Sequence, residues 1–263
     1  MNSALFFDVD GTLIDSYHDR RNISPDVLHE LARIQGLGHK IFLSSGRPRN
    51  LITPDLLEPG FDGLVLINGG YVELDGESIY EERMDPDLAY RTAEFLERLG
   101  CEYLMVAARN TYMEPTNQGF IDFFSRGHGD IFTFDYDLDA ILPTVIKFEA
   151  LVPREDRPRV TAMVAKELGP LINCDGHGGE GTFELYPSAI SKARGIEVVL
   201  EHFGIDVAHS YGFGDGTNDL EMIEYCGCGV AMGNAEDVVK DAADIVCAPV
   251  WDNGLEQVLR ELF

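Results

Sequence analysis

Apolar and polar positions along the chain fall into two textures. Residues 4–10, ALFFDVD, are a short apolar run closed by acids, the pattern of a strand buried on both faces. Residues 24–34, SPDVLHELARI, set apolar side chains at helical spacing behind Ser24 as N-cap, with Pro25 in the first turn. HKIFLS over 39–44 and GLVLING over 63–69 predict two more strands. The rhythm returns after residue 190, with helices over 190–204, 218–226 and 236–243 alternating with strands over 209–215, 228–232 and 244–249. An amphipathic last helix covers 253–263. Strands alternating with helices predict a parallel sheet with helices packed on its faces.

Residues 83–183 read differently. Helices are predicted over 85–100, 116–127 and 156–169, while strands within 102–114, 143–152, 171–176 and 181–187 come in hairpin-like pairs. The expected organisation is therefore an α/β core from 1–82 and 184–263, interrupted by an α+β insertion over 83–183. Within the insertion, Arg109, Asn110, Glu114 and Asn117 are polar candidates near turns, and the aromatic-rich stretch 120–137 supplies either core or a stacking surface.

Composition narrows the function. At 263 residues and 45% hydrophobic content the chain can bury a substantial core. No apolar run is long enough for a membrane-spanning helix, and the opening lacks a basic segment and cleavage site, so neither a membrane anchor nor a signal peptide is expected. Twenty basic against 46 acidic residues give a formal charge of −26, which repels nucleic acid and anionic lipid. An anionic substrate would then need local positive charge at its site. The five cysteines, an odd number without paired spacing, predict reduced thiols and a cytoplasmic protein. Cys226 and Cys228 have no nearby histidine to complete a zinc site and read as small buried residues.

Four segments carry candidate chemistry, each at or near the end of a strand, where an open parallel sheet places its site. They are Asp8-Val9-Asp10-Gly11-Thr12, Ser44-Ser45-Gly46-Arg47, Lys192 at a helix start, and Gly214-Asp215-Gly216-Thr217-Asn218-Asp219. Two acids as close as Asp8 and Asp10 repel one another unless a cation or a proton relieves them.

With LING at 66–69 and AMGNA at 231–235, these segments resemble, in order and spacing, the haloacid dehalogenase-like phosphohydrolases of the Cof-type branch, whose large cap is inserted between the second and third motifs. The resemblance implies a Rossmann-like parallel-sheet core with helices on both faces plus an inserted α+β cap, and a phosphatase for a small phosphorylated metabolite such as a sugar phosphate. It implies Asp8 as nucleophile, forming an aspartyl-phosphate, and Asp10 as general acid and base. Mg²⁺ is the implied cofactor, with Asp8, Asp10 (through its carbonyl) and Asp215 as ligands, and Asp219 and Asn218 close by as further ligands or as groups that support them. Ser45, Gly46, Arg47, Lys192 and Asn218 are the implied phosphate- and substrate-binding residues. The third motif departs from the common form: Lys192 is followed by Ala193-Arg194-Gly195, so Arg194 competes for the role of the cation.

Other readings share some of these features. A phosphomutase uses the same core, and a catalytically silent metabolite-binding protein could keep the fold. A receiver domain has an acidic pair and a later lysine but fits the insertion and the GDGTND loop less well. DVDGT also starts like a calcium loop, yet the later Glu of an EF-hand is missing. No nucleic-acid or membrane partner is expected, and the chain is expected to be a monomer or a weak homo-oligomer.

Overall fold

In the computed structural model, which describes residues 2–124, 132–134, 137–176 and 182–263, the opening apolar run forms strand β1 (Ala4–Phe7), buried throughout. Its successive side chains face opposite ways. Phe6 stacks on Phe42 with ring centroids 4.9 Å apart, and Phe7 stacks on Phe213 at 4.7 Å. A strand covered on both sides has no position to give to a polar residue until it ends, at Asp8. Helix α1 (Pro25–Gly36) starts where expected: the Ser24 hydroxyl accepts from the Val27 N–H, and Val27, Leu31 and Ile34 are buried. Strands β2 (Lys40–Ser44) and β3 (Gly63–Leu66) run parallel to β1. A turn over Ile67–Gly69 then reverses the chain into β4 (Tyr71–Leu74), antiparallel to β3, with β5 (Glu77–Glu81) at the sheet edge.

The chain next builds a second compact unit, Arg47–Leu51 with Glu81–Ile190, while Met1–Gly46, Ile52–Tyr80 and Ser191–Phe263 form the first. The second unit contains α2 (Pro86–Leu99), β6 (Tyr103–Ala107), β7 (Thr111–Tyr112), α3 (Gln118–Phe124), β8 (Phe132–Thr133), α4 (Leu138–Ile141), β9 (Val145–Ala150), α5 (Arg157–Glu167), β10 (Ile172–Gly176) and β11 (Phe183–Pro187). Its sheet has the order β10-β11-β9-β6-β7-β8 and is antiparallel except for β7 with β8. Leu88, Phe95 and Leu96 of α2 and Val160 and Val164 of α5 share a core with Met105, Phe148 and Leu185 of the sheet. At alternate strand positions Lys147, fully buried, pairs with Glu149 at 2.7 Å and Glu184 at 2.5 Å. Asn117 turns inward, its amide donating to the Tyr103 carbonyl. Of the aromatic stretch 120–137, residues 125–131 and 135–136 lie outside the described residues, while Phe120 is buried and Phe134 exposed.

The junctions differ from those expected. Phe183–Pro187 pairs with β9 and β10, so 184–190 go with the insertion and not with the core. The pairing of 171–176 with 181–187 is the one expected; the boundary at 183 cuts through this strand because FELYP is buried at every position and has the composition of a core strand.

Beyond the insertion come α6 (Lys192–Phe203), β12 (Ser210–Gly214), α7 (Leu220–Tyr225), β13 (Cys228–Ala231), α8 (Asp237–Ala242), β14 (Ile245–Val246) and α9 (Gly254–Leu262). They complete an eight-stranded sheet of order β14-β13-β12-β1-β2-β3-β4-β5, parallel from β14 through β3. Ile196, Val199 and Leu200 of α6 and Met222 of α7 pack with Phe6, Phe42 and Val65 on one face. Phe263, just after α9, meets Tyr211 edge-on, next along β12 from Gly212, which faces Met222. Helices thus cover both faces of this sheet.

Candidate active site

Parallel pairing brings the motif segments level. Phe7 is in register with Leu43 on one side and Phe213 on the other, so Asp8 leaves β1 alongside Ser44 and Gly214. The Asp8 N–H donates to the Phe213 carbonyl at 2.9 Å. Acids from the two ends of the chain therefore converge because β12 inserts beside β1. Carboxylate oxygens of Asp8, Asp215 and Asp219, all buried, lie within 4.8 Å of one another.

Lys192, the first residue of α6, enters this cluster with no exposed surface. Its Nζ donates to Asp8 Oδ1 at 2.6 Å, to Asp219 Oδ1 at 2.5 Å and to the Ser44 carbonyl at 3.2 Å, which uses all three donors of the ammonium. Burial opposes its charge, but Asp219 and Asp8 outweigh burial and raise it above an ordinary lysine, so it stays protonated. Burial also pushes the Asp8 carboxyl up, to about 7; Asp219 adds to the push, Lys192 opposes it, and Asp10 adds a smaller push. Arg194 does not compete with Lys192: it is exposed and pairs with Glu197.

The other acids have distinct surroundings. Asp219 gives Oδ1 to Lys192 and accepts at Oδ2 from the N–H groups of Asp215 (2.9 Å) and Gly216 (3.0 Å), so it closes the GDGTND loop as well as holding the lysine. Asp215 Oδ2 accepts from Asn234 Nδ2 at 2.9 Å. Gly11 lies directly against it, at φ +87°: a Cβ at residue 11 would come 2.1 Å from Asp215 Oδ2, so no side chain fits. Asp10 is exposed. Three buried carboxylates gather around a site with one ammonium, so acidic, hard oxygen donors outnumber the cation. That donor set fits a divalent hard cation such as Mg²⁺.

Ser45 is buried; its N–H donates to the Val65 carbonyl and its carbonyl accepts from the Asn68 N–H. Gly46 and Asn218 are half-buried in the same unit. Arg47, also half-buried, falls with the second unit. The structure therefore joins Asp8, Lys192, Asp215 and Asp219 by direct contact or close approach. Two residues absent from the expected site belong to it. Asn234 donates to the Gly11 carbonyl and to Asp215, both at 2.9 Å, and accepts from the Val250 N–H at 2.8 Å. Asn68 accepts from Asn218 Nδ2 at 3.3 Å. Both stand in stretches already singled out, AMGNA and LING, but an asparagine beside glycine reads as a turn residue.

Comparison with known proteins identifies the family. The family model for haloacid dehalogenase-like hydrolases matches residues 5–259. "Putative phosphatase YkrA" of Bacillus subtilis is 32% identical over 99% of this chain and 98% of its own. The 5-amino-6-(5-phospho-D-ribitylamino)uracil phosphatase YitU of the same organism is 26% identical over 97% of this chain and 96% of its own. Among solved structures, the HAD subclass IIB sugar phosphatase BT4131 superposes with a TM-score of 0.86 at 27% identity, covering 99% of this chain and 98% of that one. The chain belongs to the haloacid dehalogenase-like hydrolase family and is an enzyme of its phosphatase kind.

Proposed function

We propose that the enzyme hydrolyses a phosphomonoester of a small polyhydroxylated metabolite through a phosphorylated Asp8. The observation that carries this reading is the buried Lys192 bridge between Asp8 and Asp219, with Asp215 beside it. A carboxylate fixed by an ammonium at a strand end is oriented for attack before substrate arrives.

In this reading one Asp8 oxygen forms a bond to phosphorus as the ester P–O bond breaks. Asp10, in its protonated form, gives its proton to the departing alkoxide, and the alcohol leaves. Asp10, now a carboxylate, takes a proton from water, whose oxygen bonds to phosphorus as the Asp8–phosphorus bond breaks. Inorganic phosphate is released and both aspartates return to their starting state. Lys192, held between Asp8 and Asp219, supplies positive charge near the phosphoryl oxygens, and the Ser45 hydroxyl donates a hydrogen bond to one of them. Asp8, Asp215 and the Asp10 carbonyl would hold Mg²⁺, with Asp219 anchoring the lysine and the loop. When bound, the ion supplies positive charge to the phosphoryl oxygens and offsets the acids.

The substrate class rests on two of the three named relatives. One acts on sugar phosphates, and the other on a compound bearing a phosphorylated ribityl chain. A panel of sugar and sugar-alcohol phosphates, assayed for inorganic phosphate with Asp8→Asn as control, tests the reading. Expected are release by the wild type, none by Asp8→Asn, loss on chelation and recovery with Mg²⁺. Hydrolysis by Asp8→Asn at the wild-type rate removes the nucleophile assignment, and activity indifferent to chelator removes the metal.

A further inference from the structure

The turn over Ile67–Gly69 is strained. Ile67 and Asn68 both take positive φ, 53° and 54°. A β-branched residue at such a φ is a true outlier, because its Cβ is pressed against the following carbonyl oxygen. Such strain survives only where the surroundings over-determine it. Here they do: Ile67 has no exposed surface and Asn68 is 2% exposed.

What the turn touches is the site. The Asn68 N–H donates to the Ser45 carbonyl at 3.2 Å, and Asn68 Oδ1 accepts from Asn218 Nδ2 at 3.3 Å. A Cβ on Gly46 would lie 2.8 Å from Asn68 Oδ1 and 3.6 Å from Asn218 Nδ2, so Gly46 leaves the space in which the two amides meet. The next residue, Gly69, runs under the start of α6: a Cβ there would come 1.9 Å from the Ser191 carbonyl and 3.1 Å from the Lys192 nitrogen. Gly195 packs on the same turn, its would-be Cβ 3.0 Å from Gly69 Cα. One strained turn thus meets the serine segment, the lysine helix and the GDGTND loop.

We propose that Asn68 is a positioning residue. The left-handed turn holds its amide between Gly46 and Asn218 and so fixes the Asn218 side chain in the orientation that receives the phosphoryl group. This rests on the phosphatase reading above. Asn68 itself touches no reacting atom in that scheme; it acts through Asn218.

Asn68→Gly separates this role from the backbone, because glycine is at ease at positive φ and only the amide is lost. The experiment measures kcat and KM on p-nitrophenyl phosphate, inhibition by inorganic phosphate, and the melting midpoint, for Asn68→Gly, Asn218→Ala and the double variant. Expected for Asn68→Gly is a rise of about tenfold in KM and in the phosphate inhibition constant, with a smaller change in kcat. In the Asn218→Ala background the same substitution should have little further effect, because the side chain it orients is gone. Additive effects in the double variant overturn the proposal. So does an Asn68→Gly enzyme with unchanged KM and phosphate inhibition, whether or not its midpoint falls. A wild-type protein that hydrolyses no phosphomonoester fails the phosphatase reading instead.

Discussion

Lys192 has no exposed surface, and its three donors go to Asp8, Asp219 and the Ser44 carbonyl, so the ammonium is committed before any substrate arrives. Replacing it with methionine leaves two buried carboxylates facing each other without their cation. Breaking a buried pair in this way costs about 3–5 kcal/mol, because the remaining charge is uncompensated. Lys192→Met is therefore expected to lower the urea midpoint and to reduce turnover by at least about 100-fold. Adding Asp8→Asn to it should recover part of the stability and none of the turnover. A double variant no more stable than Lys192→Met would show that charge imbalance is not the cause. At this scale the acids and the lysine were legible in the sequence, since their residue types and order carry the chemistry. Asn68 and Asn234 were not, because an amide shows its partner only once the chain has folded. The hold of Asp219 on the N–H groups of Asp215 and Gly216 was equally hidden in a motif that reads as a ligand set.

Elements follow the same division. Helix α1 and strands β1 to β3 could be read directly, because N-cap, helical spacing and apolar runs are local signals. The pairing of 171–176 with 181–187 could be read as well, but the exact exit from the insertion could not, since a fully buried strand carries no polar position to mark where one sheet ends and the next begins. Nor could the tie between α1 and α9, which lie at opposite ends of the chain. Glu30 of α1, 2% exposed, accepts from Arg33 at 2.7 Å and from Arg260 of α9 at 2.9 Å. Burial raises its carboxyl, but the hydrogen bonds from Arg260 and Arg33 and their charges prevail and hold it below the usual 4.5. Charged hydrogen bonds of this kind contribute roughly 2 kcal/mol together. Glu30→Gln is expected to lose that amount at pH 7, read as a lower urea midpoint. Because the folded-state pKa is depressed, the contribution is complete above 4.5 and fades as acid titrates the carboxylate through its lowered value. The gap between variant and wild type should then narrow below pH 4.5; a gap constant with pH would mean the glutamate acts by packing rather than charge.

Over the whole molecule, the formal charge of −26 sets the long-range field. An anionic phosphomonoester approaches against it, and the Debye length falls from about 30 Å at 10 mM salt to about 8 Å at physiological salt. At saturating Mg²⁺, kcat/KM is expected to rise with added KCl over this range, opposite to the fall seen when charges attract. A decrease would show that positive charge near the site outweighs the surface. The order of the large sheet has another consequence. β1 and β12 are neighbours although about 200 residues separate them, so the first unit exists only once the tail of the chain has returned to its head. The single tryptophan, Trp251, stands on that returning segment with its ring 5.3 Å from the ring of His18, near the other end. The insertion carries no indole, so intrinsic tryptophan emission is an optical gauge of one event alone: the meeting of head and tail that assembles the acid cluster.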